Sequence, residues 1–409
     1  MKKKNKEKNN KIKEPKNKKT QNNTKQKKEK KNQKKEDSKS LKKKTKRENK
    51  KETFIKNNNE ENACKIMDLN INMKTHNQNF EFIKTLIKEK IYDSIIFTSV
   101  NDIFYIVYIK YESNIIYCYN LIKGQLICEV KQAHSDNIKY IQYILDKKNK
   151  RDLIMTISLE KIKIWNINLE CLTDIKKKNN DIYKICHISY IHNNNYIHII
   201  ESSDEVPILV YNLDGIKIKK IKNNEKIYTL KTFYDDKSSK SYIIVNNVSY
   251  LKSYDYDNDK EYTYYFHDTY NEVFQILINN KNDQTQLIGL GRNYPFIIIW
   301  NFHNGQKLYD IYLKGNVFSV LDTMNISYSF LWDEQYLCFG ICNDIGKGHP
   351  GVYTLKLLDL KTLRVCGNLI NLKNKRFSLI KKIEHPIYGE CLITEIFFNE
   401  IGLWKKKEK

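Results

Sequence analysis

Few side chains in this sequence have the types and spacing that chemistry requires. The glycines of Gly346-Lys-Gly-His-Pro-Gly351 match the GxGxxG pattern of dinucleotide-binding loops. That pattern holds a pyrophosphate only where it follows a strand and opens a helix. Here Pro350 interrupts the pattern and a strand-like run, Val352–Leu358, follows it. We therefore interpret the segment as a loop insertion and expect no cofactor.

The histidines and cysteines do not form a metal-binding pattern. His192 and His198 have the even spacing that places two strand residues on one face, but Asn193-Asn-Asn195 puts a turn between them. The nine cysteines are scattered, and the closest pair, Cys338 and Cys342, has no histidine pair at ligand spacing. We expect no metal site, and free thiols in a reducing compartment.

His134 is the remaining candidate for a general base. Apart from Asp136, no group beside it stands out as a partner for catalysis. We predict that His134 is a structural, hydrogen-bonding residue, and that the chain is not an enzyme and takes no small-molecule substrate.

The elements that must position these side chains are strands. From about residue 80 onward, short runs of β-branched and aromatic residues alternate with the turn formers Asn, Asp, Lys and Gly. No stretch has a sustained apolar period of 3.6 residues with helix caps. The sequence therefore predicts an all-β domain.

One kind of strand ending recurs at a nearly constant interval. A large aromatic or apolar residue, usually followed by Asn or Asp, stands at Tyr119, Trp165, Tyr211, Tyr254, Trp300, Leu358 and Trp404. The successive intervals are 46, 46, 43, 46, 58 and 46 residues. Repeats of this length with several strands each are typical of a β-propeller, and seven endings predict seven blades.

The repeat resembles that of the WD-repeat family. Ala133-His-Ser-Asp-Asn-Ile138 is similar to the family's Gly-His…Asp-x-Val opening, and Ile162-Lys-Ile-Trp-Asn166 is similar to its Trp-Asp ending. The resemblance implies that His134, Asp136 and Trp165 are structural. In better-matching repeats an Asp precedes the third strand, whereas Leu159 stands here. We therefore expect mainly apolar contacts to hold the blades together.

The ends of the repeating region predict how the ring closes. Only five residues follow Trp404, which is too few for an outer strand of the last blade. An open edge there would invite pairing with other chains. We expect Phe80–Leu86 to supply that strand and Ile91–Thr98 to begin blade 1, as WD-type propellers commonly close.

The first 52 residues differ from the rest of the chain. They carry 25 Lys and Arg against 7 Asp and Glu, a formal charge of +18, which leaves +6 for the other 357 residues. Without aromatic residues this segment cannot bury enough surface to fold. The sequence predicts a disordered basic tail at 1–62, a linker at 63–79, the propeller at 80–405 and a basic end at 406–409.

Within the tail, one compact basic cluster resembles a nuclear localisation signal. It consists of Lys42, Lys43, Lys44, Lys46 and Arg47. Residues 1–52 are also candidates for contact with an import receptor or with RNA, through release of counterions and without sequence preference. Nothing in the sequence resembles a signal peptide or a membrane span, so we expect an intracellular protein of the cytoplasm, the nucleus or both.

The resemblance to WD repeats implies a non-enzymatic scaffold for protein–protein interaction, a subunit of a larger complex. The alternatives are a nuclear or nucleolar assembly factor, for example in ribosome biogenesis, whose tail contacts RNA, and, remotely, a propeller enzyme with an unrecognised site.

Tyr254–Tyr270 could be a docking surface of Tyr and acidic residues, or it could be two Tyr-rich strands joined by a turn. We favour the two strands. By analogy with the fold, binding residues are expected in the turns between blades and between middle strands, or in the insertion at 343–351. The candidate turn residues are Asn137, Leu159, Glu160, Asp204, Glu205 and Tyr294.

Overall fold

The fold is described by a computed structural model, which is all-β as the sequence predicts. It describes residues 64–407 except for 72–78, 112, 178–185, 194–195, 204–206, 224, 248, 268–272, 281–283, 292–295, 316–322, 334, 345–351, 374–376 and 397–399. Of these described residues, none lies in a helix long and apolar enough to cross a membrane. The predicted tail at 1–62 lies outside them.

The repeating sheets are called blades here and are numbered along the chain. Two strands precede them, β1 (Lys65–Ile71) and β2 (Phe80–Ile87). Blade 1 consists of β3 (Ile91–Thr98), β4 (Phe104–Lys110), β5 (Ile116–Asn120) and β6 (Gln125–Val130). Blade 2 consists of β7 (Tyr140–Asp146), β8 (Arg151–Ile157), β9 (Lys161–Asn166) and β10 (Cys171–Lys176). Blade 3 consists of β11 (Cys186–His192), β12 (Ile197–Ser203), β13 (Ile208–Tyr211) and β14 (Lys217–Ile221).

Four further blades complete the ring. Blade 4 consists of β15 (Thr229–Asp235), β16 (Lys240–Asn246), β17 (Tyr250–Asp255) and β18 (Lys260–Phe266). Blade 5 consists of β19 (Val273–Asn279), β20 (Gln286–Gly291), β21 (Phe296–Asn301) and β22 (Lys307–Gly315), with β1 beside β22. Blade 6 consists of β23 (Thr323–Trp332), β24 (Tyr336–Asp344), β25 (Val352–Asp359) and β26 (Arg364–Lys373). Blade 7 consists of β27 (Phe377–His385), β28 (Gly389–Ile396), β29 (Glu400–Lys406) and β2.

In each blade, four antiparallel strands are ordered from the centre of the ring outward. Both faces of the middle strands are buried, as successive residues such as Ile106 and Val107 show. Ile106 packs at the junction of blades 7 and 1, and Val107 at the junction of blades 1 and 2. Over the described residues, one apolar cluster lies at each of the seven junctions between blades. The expectation that apolar contacts join the blades is confirmed.

The ring closes as the sequence predicts. Strand β2 pairs antiparallel with β29 as the outermost strand of blade 7, with Phe82 opposite Trp404. The rings of these two residues lie 5.0 Å apart in an edge-to-face arrangement. The first strands of successive blades contact one another, and β27 contacts β3, so the chain forms a closed seven-bladed β-propeller.

Strand β1 differs from the linker predicted at 63–79. It pairs in parallel with β22, so that Met67 lies opposite Ile311 and blade 5 has five strands. Met67 and Leu69 pack against the cluster between blades 5 and 6, while Ile66 is 74% exposed. The linker prediction is therefore wrong over 65–71. A strand at the edge of a sheet needs only one apolar face and a neighbouring strand whose outer edge is unpaired, so few apolar residues are enough to form it.

The long interval before Leu358 has a structural counterpart. Strands β23 and β24 of blade 6 contain ten and nine residues, against seven for β15 and for β16. Part of the extra length predicted as an insertion at 343–351 is therefore strand. Residues 345–351, including the GxGxxG glycines, lie outside the described residues, and strand β25 follows them rather than a helix.

Antiparallel order fixes which turns meet at each end of the ring. Turns between the second and third strands, and connections from one blade to the next, lie at one end, here called the upper face. Turns between the first and second strands, and between the third and fourth, lie at the other end, the lower face.

Candidate functional site

The residues with the most distinctive chemistry form a buried cluster in blade 2. His134 Nε2 lies 2.8 Å from Thr156 Oγ1, and Trp165 Nε1 donates a 2.7 Å hydrogen bond to the same oxygen. Thr156 is fully buried and His134 nearly so. His134 lies in the loop between blades 1 and 2, and the cluster ties this loop to the second and third strands of blade 2.

This cluster has the spacing of a hydroxyl–imidazole pair but not the accessibility of one. A nucleophile must reach its substrate, and the Thr156 hydroxyl is enclosed on all sides. Burial and the nearby Lys163 ammonium lower the pKa of His134 to about 4, so the imidazole is neutral at physiological pH. The geometry fits the structural role predicted for His134.

Further hydrogen bonds fix the loop that carries His134. Asn114 Nδ2 donates to the His134 carbonyl at 2.8 Å, and Lys163 Nζ donates to the Ala133 carbonyl at 2.7 Å. The Asp136 carboxylate accepts a 2.7 Å bond from the Leu159 backbone N–H. Although Leu159 replaces the expected Asp side chain, its backbone thus joins the same turn to Asp136.

Among the other repeat endings, Trp404 and Tyr211 also have buried hydrogen-bond partners. Trp404 Nε1 donates to Thr394 Oγ1 at 2.8 Å, as Trp165 does to Thr156. The hydroxyl of Tyr211 donates to the Glu201 carboxylate at 2.9 Å. All seven endings lie in the third strands, and all but the half-buried Tyr119 are buried: Tyr119, Trp165, Tyr211, Tyr254, Trp300, Leu358 and Trp404.

Sequence reasoning did not identify Thr156, Thr394 or Glu201. Each lies in the second strand of its blade, where most neighbours are buried and apolar. A polar residue within such a strand is the signal that could have found them, because a buried hydroxyl or carboxyl needs a partner.

An open cleft on the upper face lies between blades 1 and 2. It has a volume of about 220 Å³ and is lined by Tyr92, Tyr111, Ser113, Asn137, Ile138 and Lys139. The rings of Tyr92 and Tyr111 are 6.1 Å apart, and Lys139 Nζ lies 5.8 Å from the Tyr92 ring centroid. Two tyrosines and an amine at an open surface suit protein recognition, because they combine apolar area with polar ends.

The predicted partner-facing turns are only partly described. Asn137 is exposed and lines the cleft, and Glu160 is exposed in the turn between β8 and β9 on the same face. Asp204, Glu205 and Tyr294 lie outside the described residues, as do Lys42, Lys43, Lys44, Lys46 and Arg47. Tyr92, Tyr111 and Lys139 were not identified from sequence, since only the ring arrangement places blade 1 residues beside Asn137.

A second cavity of about 220 Å³ opens on the lower face near blades 2 and 3. Lys147, Lys148, His192 and His198 are among the residues that line it. Burial lowers the pKa of both histidines, and His198 Nδ1 lies 2.7 Å from the Tyr256 hydroxyl. Within the described ranges, no group of three or more His, Cys, Asp or Glu residues is arranged to hold a metal ion.

The first strands surround a central channel. A cavity of about 320 Å³ there is lined by residues of β3, β7, β11 and β15, among them Gln142 and Lys231. Gln142 Nε2 donates to the Ile188 carbonyl at 3.2 Å, which joins blades 2 and 3. Burial lowers the pKa of the Lys231 ammonium.

The stretch of Tyr and acidic residues forms a hairpin, as favoured from sequence. Strands β17 and β18 pair across a turn at 256–259, and the Asp255 carboxylate accepts a bond from the Asn258 N–H at 3.1 Å. Tyr254 and Tyr256 are buried between blades 3 and 4. Residues 268–270 lie outside the described part.

Comparison with known proteins identifies the fold. No family model matches this sequence, and neither does any curated protein. Among solved structures, Chaetomium thermophilum Raptor shares 12% identity with a TM-score of 0.58, over 81% of this chain and 29% of the Raptor chain. BBS1N, crystallised in complex with ARL6DN, shares 9% identity with a TM-score of 0.57, over 81% of this chain and 98% of its own. The C-terminal WD40 domain of Sif2 shares 10% identity with a TM-score of 0.54, over 81% and 99%.

These similarities define the class of protein by its fold. The chain is a seven-bladed β-propeller with the fold of a WD40 domain, as the resemblance inferred from the repeats implies. Because the identities are low, the similarity extends to the fold alone. The similarity therefore gives the architecture of the chain, and its function has to be argued from its own surface.

Proposed function

We propose that this protein is a non-enzymatic scaffold that binds a partner protein in the upper-face cleft between blades 1 and 2. The observation that carries the proposal is the pair Tyr92 and Tyr111, set with Lys139 at an open cleft on a rigid ring. Tyrosines lose little side-chain entropy on binding and are enriched where binding energy concentrates. Among similar propellers, BBS1N in complex with ARL6DN offers a precedent for binding in a complex.

The cleft can be tested by quantitative co-purification from cells. Tyr111→Ala should reduce recovery of the partner by about tenfold, which corresponds to about 1.4 kcal/mol, within the range for a central interface tyrosine. Tyr388→Ala is the matched control, because Tyr388 lies in a lower-face turn and is 38% exposed against 43% for Tyr111. If both variants recover the partner as well as the wild type does, or if both lose it to the same extent, the proposal is contradicted.

The basic segment supports a second candidate, a nuclear or nucleolar assembly factor whose tail contacts RNA. The supporting observation is the charge of +18 over residues 1–52. The same co-purification separates the candidates: partners retained through the tail should disappear after RNase treatment and fall steeply with salt. Partners retained through the cleft should withstand both and depend on Tyr111. The proposal places the protein in the cytoplasm, the nucleus or both, with Lys42–Arg47 as the import signal.

A further inference from the structure

Two cysteines face each other across the outer strands of blade 1. Cys118 in β5 and Cys128 in β6 are directly paired in the antiparallel register. Both are free thiols, and their side chains hydrogen-bond to each other. This is a different arrangement from isolated thiols such as Cys171 and Cys366, which lie exposed on outer strands of other blades.

The backbone geometry allows these two residues to form a disulfide. Directly opposite residues of antiparallel strands have Cβ atoms about 5 Å apart, whereas a disulfide needs about 4 Å. The pairing shifts register between Cys118 and Tyr119, which marks a bulge beside the pair. Bulges bend and twist the strand locally, so a small approach of the two strands is accommodated there.

The two thiols differ in access and acidity. Cys118 is fully buried in the cluster between blades 1 and 2, whereas Cys128 is half-buried and follows Ile127, which is 45% exposed. The hydrogen bond from Cys118 lowers the pKa of the Cys128 thiol, while the same bond and burial raise the pKa of Cys118. The accessible thiol is therefore the better nucleophile, and the buried one is placed to resolve the product.

We propose that Cys118 and Cys128 form a redox-active dithiol that closes to a cross-strand disulfide when it meets a small disulfide such as glutathione disulfide. The Cys128 thiolate attacks one sulfur of glutathione disulfide, forms a mixed disulfide and releases one glutathione thiolate. The Cys118 thiol then attacks Cys128 Sγ, breaks its bond to the second glutathione and passes its proton to the departing glutathione thiolate. Overall, two protein thiols are oxidised and one small disulfide is reduced to two thiols.

Closure changes the contact between blades 1 and 2. Cys128 Sγ lies 3.9 Å from the Ile167 carbonyl in the lower-face turn of blade 2. A disulfide removes the S–H donor from that carbonyl and fixes the last two strands of blade 1 to each other. The oxidised form therefore has a firmer outer edge on blade 1 and a weaker polar contact to blade 2.

Peptide mapping of the full chain tests this proposal. Folded protein is treated with glutathione disulfide, free thiols are blocked with N-ethylmaleimide, and trypsin is added without reductant. Cleavage after Lys110, Lys123 and Lys131 places the two cysteines in separate peptides, 111–123 and 124–131, so that only a disulfide keeps them together. The linked pair should be the main product at Cys118, and it should disappear with dithiothreitol and in Cys128→Ser.

The controls distinguish a built pair from general thiol oxidation. Cys171→Ser should leave the yield of linked peptide unchanged, and Cys171 in the wild type should carry glutathione only. In Cys128→Ser, the buried Cys118 should react with the blocking reagent far more slowly than Cys171. A stable glutathione adduct on Cys128 without the linked peptide, or a linked peptide formed only in denaturant, overturns the proposal.

Discussion

At the residue scale, Thr156 links the two residues of blade 2 that the repeat motif makes visible. Its hydroxyl is the shared partner of His134 and Trp165, both of which are buried. A buried polar group that loses its partner keeps the full cost of desolvation. The stability of this blade therefore depends on a residue that links two others.

Substitution of Thr156 tests this dependence. Thr156→Val preserves the shape of the side chain but leaves both Trp165 Nε1 and His134 Nε2 without that partner, so we expect a loss of about 2–4 kcal/mol in the free energy of unfolding. Thr394→Val is the matched control, since Thr394 is equally buried and holds the single ring N–H of Trp404. Its loss should be about 1–2 kcal/mol. Urea unfolding measures both, and equal losses would contradict the shared role.

The residue scale also shows what the sequence could reveal. The positions of His134 and Trp165 in the blade were predictable because they stand at fixed offsets in a repeat. Thr156 was not, because its importance arises from two hydrogen bonds that form only after β8, β9 and the loop carrying His134 are aligned. Tyr92 and Lys139 were missed for the same reason, since they belong to different blades.

At the element scale, the third strands were predictable and β1 was not. The seven strand endings have a regular spacing, which a single sequence displays directly. Strand β1 has a partner about 240 residues away, with Met67 opposite Ile311, and no local signal announces such a pairing. Its sequence, KIMDLNI, is short and lies between Asn-rich segments. Closure by β2 was predictable because the last blade visibly lacked a strand.

The packing of β1 predicts that a charge on its buried face separates it from β22, whereas a charge on its exposed face does not. Met67→Asp with Leu69→Asp places carboxylates against the apolar cluster between blades 5 and 6, so β1 should separate from β22. Hydrogen exchange of the amides in Lys307–Gly315 should then accelerate by about tenfold or more, while the other blades keep their protection. Ile66→Asp is the control, because Ile66 is 74% exposed and its change should leave exchange unaltered. Protection of β22 that survives the double substitution would show that β1 contributes little.

At the scale of the whole molecule, the ring is held by seven similar apolar junctions and by a few polar residues that cross between blades. Asp93 in the first strand of blade 1 is one of these. Its Oδ2 accepts a 2.9 Å bond from the Ile141 N–H of blade 2, and Oδ1 accepts one from the Ser94 N–H. The Ser94 hydroxyl donates to the Glu395 carboxylate of blade 7 at 3.0 Å. Three blades, including the last and the first, therefore meet around this carboxyl group.

The position of Asp93 makes ring stability depend on pH. Burial, against the opposing effect of the two backbone hydrogen bonds and with a smaller contribution from the Glu395 carboxylate, raises the pKa of Asp93 to about 7. An unfolded Asp titrates near 3.9. Between those values the folded ring binds more protons at Asp93 than the unfolded chain does. The contribution of Asp93 to stability therefore falls as pH rises from about 4 to 7.

Asp93→Asn removes this titration and keeps a similar shape. The free energy of unfolding of the variant, minus that of the wild type, should increase by about 1 kcal/mol per pH unit between pH 4 and 7, and should level off above pH 7. Urea unfolding across this range measures the difference, which cancels the titration of most other groups. In the variant, an amide now faces one backbone N–H, which adds a constant, pH-independent amount to the difference in free energy of unfolding. The titration of Asp93 is therefore measured by how that difference changes with pH.

Glu395→Gln should end the steep part of the pH dependence at a lower pH, because it removes a charge that raises the Asp93 pKa. A difference that stays constant with pH would mean that Asp93 is ionised throughout, and that its two hydrogen bonds outweigh the burial of its charge at the meeting point of the ring.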